Sequence, residues 1–150
     1  MIEQLKSCLS QGKYNEAREL LKEIDDLSIR DIIMSIAYET ENIFVYSFIH
    51  YMINMTHKKS WIELSIDVMI NPLCFLEGAY SIALFHSREL FNCEKSIANQ
   101  ERLLFFYNIP EKLISDDEAR DIANEILKID PQNVIALRVL NFEYVASCLN

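Results

Sequence analysis

Three histidines and four cysteines have the widest chemical range in this chain. His50 and His57 lie seven residues apart, two turns of a helix, so on a helix they share a face. Two imidazoles on one face make half of a transition-metal site, which needs further His, Cys or carboxylate ligands at workable spacing. Their neighbours are Tyr51, Met52 and Met55 instead, so packed or rim histidines are expected and no metal is. His86 and Cys93 fall towards one helix end and formally make a thiol–imidazole pair. Neither an orienting third group nor an oxyanion feature accompanies that pair. Cys8, Cys74, Cys93 and Cys148 form no CxxC pair and sit in or near apolar helical patterns. Buried, reduced thiols are expected of them rather than a disulfide framework.

Phosphate and acyl-transfer chemistry have no foothold. GxGxxG, GxxxxGK[ST], GxSxG and HExxH are all missing, and Gly12 and Gly78 are too few for a backbone cradle. The reading is therefore non-enzymatic: no catalytic residue, cofactor site or metal site is expected.

Carboxylates carry the remaining signal. Glu16, Glu19, Glu23 and Asp26 occupy one helical face, turned away from Ala17, Leu20, Leu21 and Ile24. Further on, Asp117, Asp121 and Glu125 recur every fourth residue opposite another apolar face. Such stripes are ordinarily solvated faces, helped near a helix start by the dipole. The alternative is a docking surface for a Lys- and Arg-rich partner. Residues 31–57 hold Asp31, Glu39 and Glu41 with no Lys or Arg, and 60–87 hold Glu63, Asp67 and Glu77 with none. If Glu39, Glu41 and the region of Glu77 converge, they form an uncompensated negative patch. Trp61, beside Lys58 and Lys59 at a helix start, is the aromatic expected to reach the surface as a contact anchor.

The elements that position these residues read as helices throughout. Ser115 with Glu118 three residues on is a capping box, and Ala119, Ile122, Ala123, Ile126 and Leu127 follow at helical spacing. Asp130 as cap and Pro131 at the first helical position then restart a helix to about Cys148. Earlier helices are expected over 2–11 and 14–25, joined at Gly12, and from Ser28 as the third start. Asn42 caps a fourth, in which Phe44, Val45, Phe48, Ile49, Met52 and Ile53 leave almost no polar side, as in a helix enclosed by its neighbours. Ser60 with Glu63 opens a fifth. A sixth covers 73–90 after Asn71-Pro72, and a seventh 93–107. The fold class is all-α: about nine antiparallel helices stacked as helical hairpins in a single domain over 1–150.

Composition bounds the class of function. The 150 residues are 51% hydrophobic and 11% aromatic, enough for a substantial core. With 2 Gly and 3 Pro there is little material for hairpin turns. A net charge of −9 disfavours nucleic acid and anionic lipid, and favours a basic protein partner reached by electrostatic steering. The N-terminal residues lack a continuous apolar core, so no signal peptide is expected, and the longest uncharged stretch, 42–57, is short for a membrane span. A cytoplasmic protein follows.

Two segments resemble the tetratricopeptide repeat family. In 12–25, GKYNEARELLKEID, the residues Gly12, Tyr14 and Ala17 fall at the family's turn, aromatic and small positions. In 116–133, DDEARDIANEILKIDPQN, so do Ala119, Ala123, Ile126, Pro131 and Asn133. Ala17 and Ala119 are 102 residues apart, three periods of the 34-residue repeat. The resemblance covers these two segments alone. It implies stacked helical hairpins and an adaptor or chaperone that binds a peptide in a groove.

Size, acidity and the missing catalytic motifs together give the leading expectation: a protein-binding module acting as an acidic inhibitor or immunity protein. It would neutralise a basic, nuclease-type toxin domain by covering it. The candidate contact residues are Glu16, Glu19, Glu23, Glu39, Glu41, Trp61, Glu77, Asp117, Asp121 and Glu125.

Overall fold

Short polar side chains that catch free backbone N–H groups decide where several of these helices begin. The computed structural model describes residues 1–148, with the side chains of 142–147 left aside. Among the described residues the fold is all-α, in nine helices. These are α1 (Ile2–Ser10), α2 (Tyr14–Leu21), α3 (Asp26–Thr40), α4 (Phe44–Thr56), α5 (Lys59–Ile70), α6 (Ala79–Cys93), α7 (Ile97–Asn108), α8 (Asp116–Ile129) and α9 (Val134–Cys148).

Ser115 caps α8 as its spacing predicts, its hydroxyl accepting the Glu118 N–H at 3.2 Å. Several other starts differ from expectation. Asp25, not Ser28, caps α3: its carboxylate accepts both the Ser28 N–H and the Ser28 hydroxyl, at 3.0 and 2.6 Å. Ser60 lies inside the first turn of α5, whose start at Lys58 has no side-chain cap. Ser96 caps α7 by accepting the Asn99 N–H at 3.2 Å, so that helix begins after residues 94–96. Asn133 rather than Asp130 caps α9, accepting the Ala136 N–H at 3.0 Å. Pro131 thus sits in the turn, where the Asp130 carboxylate accepts the Gln132 N–H. Residues 71–78 form consecutive turns, which delays α6 by six residues against the expected start at 73.

The chain divides into two compact units, Met1–His86 and Ser87–Asn150. In the first, α4 touches α1, α2, α3 and α5, which explains its almost unbroken apolar composition. Leu5, Leu9, Ala17, Ile33, Ile36, Phe48, Ile49, Ile66 and Met69 fill the interior between these helices. Gly12 turns α1 into α2 at φ +70°, a conformation that costs glycine little. In the second unit α7, α8 and α9 pack pairwise on one another. Ala119 and Ala123 are fully buried on α8, with Ile126, Leu104, Phe106 and Ala136 around them. No helix among the described residues is long and apolar enough to cross a membrane.

Candidate functional site

α8 places its three striped acids by the same periodicity that buries its opposite face. Ala119, Ala123 and Ile126 have no exposed surface, and Asp117, Asp121 and Glu125 are exposed. Arg120 bonds Asp117 at 3.0 Å, Lys128 bonds Glu125, and both pairs are one helical turn apart. Exposed pairs of this kind contribute a few tenths of a kcal/mol, so a partner's cation displaces them at little cost. Asp121, between them, forms no ion pair among the described residues.

The start of α8 is fixed more firmly. Arg88 grips Glu118 through both guanidinium nitrogens, at 2.5 and 3.1 Å, which holds the guanidinium protonated beyond its usual range. Lys112 at 2.7 Å and the Tyr107 hydroxyl at 3.0 Å hold the Asp116 carboxyl below its usual range. Early acids at a helix N-terminus gain from the dipole as well.

On α2 the expected stripe is exposed at Glu16 and Glu19, and Glu23 follows just beyond the helix. Lys22 lies 3.7 Å from Glu19. Glu39, one member of the candidate negative patch, is compensated. Lys6 of α1 bonds Glu39 at 2.5 Å as well as Glu3, and both carboxylates hold the ammonium charged above its usual range. Arg30 of α3 likewise bonds Asp67 of α5 at 3.0 Å. Bases distant in sequence therefore neutralise acids that looked unopposed. Glu41 is exposed at the left-handed end of α3, and Glu77 is exposed in the turns before α6.

Trp61 corrects the expectation of a surface anchor. It is 4% exposed, with its indole edge-on to the fully buried Phe48 at 5.8 Å between centroids. Lys58 and Lys59 beside it are exposed, but the helix turns the indole inward. Its edge forms part of the floor of a cleft of about 200 Å³ with Met52, Ile29 and Leu21, rimmed by Arg18, Lys22 and Lys58. Lys58 lies 3.6 Å from Asp26 across the rim.

The histidines sit differently from one another. His86 is 1% exposed, and its Nε2 lies 2.9 Å from the Tyr46 hydroxyl. His50, one turn from Tyr46 on α4, is exposed, with its ring 6.1 Å from that of His86. His57 is exposed and ends α4 in the left-handed region, at φ 53°. No group of three His, Cys, Asp or Glu able to hold a metal occurs among the described residues. Of the thiols, only Cys8 is buried as expected. Cys74 is half-buried in the turns before α6, Cys93 is exposed at the end of α6, and Cys148 on α9 is exposed.

The sequence reading missed two features. The Tyr46–His86 pair joins residues forty apart, and no local spacing announces it. Around the turn between α8 and α9, Ile129 is 68% exposed and Val134 59%, and the sequence reading gave neither residue a role.

Acidity is shared by both units: seven basic against twelve acidic residues in 1–86, and seven against eleven in 87–150. Comparison with known proteins finds no matching family model, no matching curated protein and no matching solved structure.

Proposed function

We propose that this chain is a non-enzymatic protein-binding module, an acidic inhibitor of the immunity type that neutralises a basic, nuclease-like toxin domain by covering it. The observation that carries the reading is the outer face of α8. Three carboxylates at four-residue spacing stand exposed there on a helix whose inner face is locked by buried alanines. A rigid helix holds its charges in a fixed row, so a complementary row of cations gains encounter rate and register together. Weak pairs one turn away keep the row soluble in the free protein and yield readily to a partner.

Inhibition by coverage requires no catalytic group on the inhibitor. Capture from the native cell is expected to recover one basic partner in stoichiometric amount, with its activity suppressed in the complex. Recovery of many weak, peptide-like ligands instead rejects the inhibitor reading.

The second reading is a tetratricopeptide-like adaptor with a peptide-binding groove. It is favoured by the cleft over Trp61 and Met52, which offers an apolar floor and a charged rim. A scanned peptide array without binders rejects it.

A further inference from the structure

The α8 stripe does not end in charge. Ile129 follows Glu125 by four residues, as Glu125 follows Asp121 and Asp121 follows Asp117. Rise per residue puts Asp117 and Glu125 roughly 12 Å apart along the helix, with Ile129 about one turn further. Ile129 is 68% exposed and Val134, across a tight turn closed by the Asn133 N–H to Asp130 carbonyl bond, is 59% exposed. Ile135 and Leu137, next on α9, are 38% exposed each. These four branched side chains lie within nine residues around the turn, and exposed apolar surface, where contiguous, marks contact sites.

We infer that the α8–α9 turn is the apolar end of a composite docking surface whose occupant is a basic amphipathic helix of a partner protein. Three cations at four-residue spacing meet Asp117, Asp121 and Glu125, and an apolar pair beyond them covers Ile129 and Val134. This rests on the protein-binding reading above and adds the kind of element bound. Charge complementarity selects the occupant. A second copy of this chain would bring another acidic stripe against the first, and an anionic lipid surface would be repelled in the same way. The apolar end supplies what the stripe lacks. Exposed charge pairs give encounter rate and register, and burial of apolar surface slows dissociation.

The test uses the full chain and two labelled peptides of one composition, read by fluorescence anisotropy over a range of salt. One peptide forms a helix with three lysines four residues apart followed by two leucines. The other spreads the same residues round the helix. The ordered peptide is expected to bind at least about tenfold more tightly than the scrambled one. Ile129→Ser with Val134→Ser should erase that roughly tenfold advantage, since burying such side chains contributes on that scale. Asp117→Asn with Asp121→Asn and Glu125→Gln should weaken both peptides and flatten the salt dependence. Circular dichroism checks that the variants keep their helices.

Unchanged affinity of the serine variant for the ordered peptide overturns the apolar half and leaves the acidic-face reading standing. Failure of both peptides to bind the unaltered chain at low salt overturns both readings. Self-association of the free protein that the serine substitutions abolish shows that a second copy covers the patch, which overturns the inference.

Discussion

Replacing Trp61 with alanine tests whether this side chain is structural or a contact anchor, and the two roles differ by a large margin in stability. The indole is 4% exposed, so truncation empties nearly the whole volume it occupies. Large aromatic-to-alanine changes at such sites cost about 3–5 kcal/mol, from lost burial plus a cavity that relaxes incompletely. Part of that is the edge-on contact with Phe48 at 5.8 Å, where aromatic pairs contribute about 0.5–1.5 kcal/mol beyond their area. With a urea dependence near 2 kcal/mol per molar, the unfolding midpoint of the first unit should fall by roughly 2 M. Because the chain forms two compact units, the probe must be local to the first. Cys8, buried in α1, provides one: site-resolved thiol labelling against urea reports its exposure. Trp61→Phe keeps a ring against Phe48 and should cost visibly less. A Trp61→Ala midpoint within about 0.3 M of the unaltered chain refutes the reasoning, because it would leave the indole no structural role.

Four more predictions follow from the caps, thiols and charges. Asn133→Ala should cost about 1–3 kcal/mol, read as lost hydrogen-exchange protection in α9. It removes the Ala136 N–H acceptor and a buried donor that bonds Glu101 at 2.6 Å. Pro131→Ala should change stability by less than about 0.5 kcal/mol, since Pro131 is exposed in the turn before α9. In the native protein a thiol reagent should modify Cys93 and Cys148 fast, Cys74 more slowly and Cys8 last; equal rates would contradict the burial pattern. Bonds from Ser28 hold the folded Asp25 carboxyl below its unfolded value near 3.8. Its contribution is therefore present above that value and is lost as pH falls through the lowered one. The stability deficit of Asp25→Ala should accordingly shrink as pH drops below about 3.8. A deficit that stays constant to pH 2 would remove the linkage.

Much of the architecture was legible because helical periodicity is local. Ala119, Ala123 and Ile126 name the inner face of α8 without any knowledge of its neighbours, and Ser115 names its start. Caps failed where two candidates competed. Asp25 beat Ser28 because its carboxylate reaches both donors of that serine, and Asn133 beat Asp130 because the turn consumes the aspartate. What sequence spacing does not carry is the partner from elsewhere. Lys6 reaches Glu39 across 33 residues and Arg30 reaches Asp67 across 37, so charge runs along the chain overstate local charge in space. Trp61 misled for a related reason: exposed lysines precede it, but the two-residue step of about 200° round the helix from Lys59 carries the indole from a wet face to a dry one.

The central claim is that the exposed carboxylate row of α8 engages a basic protein. Its most direct measurement compares capture from the native cell by the unaltered chain and by the chain carrying Asp117→Asn, Asp121→Asn and Glu125→Gln. The account predicts one basic protein held by the unaltered chain at equal stoichiometry, inactive while bound, released by salt, and lost from the variant. Equal capture by both chains, or a captured protein that is not basic or keeps its activity, would contradict it.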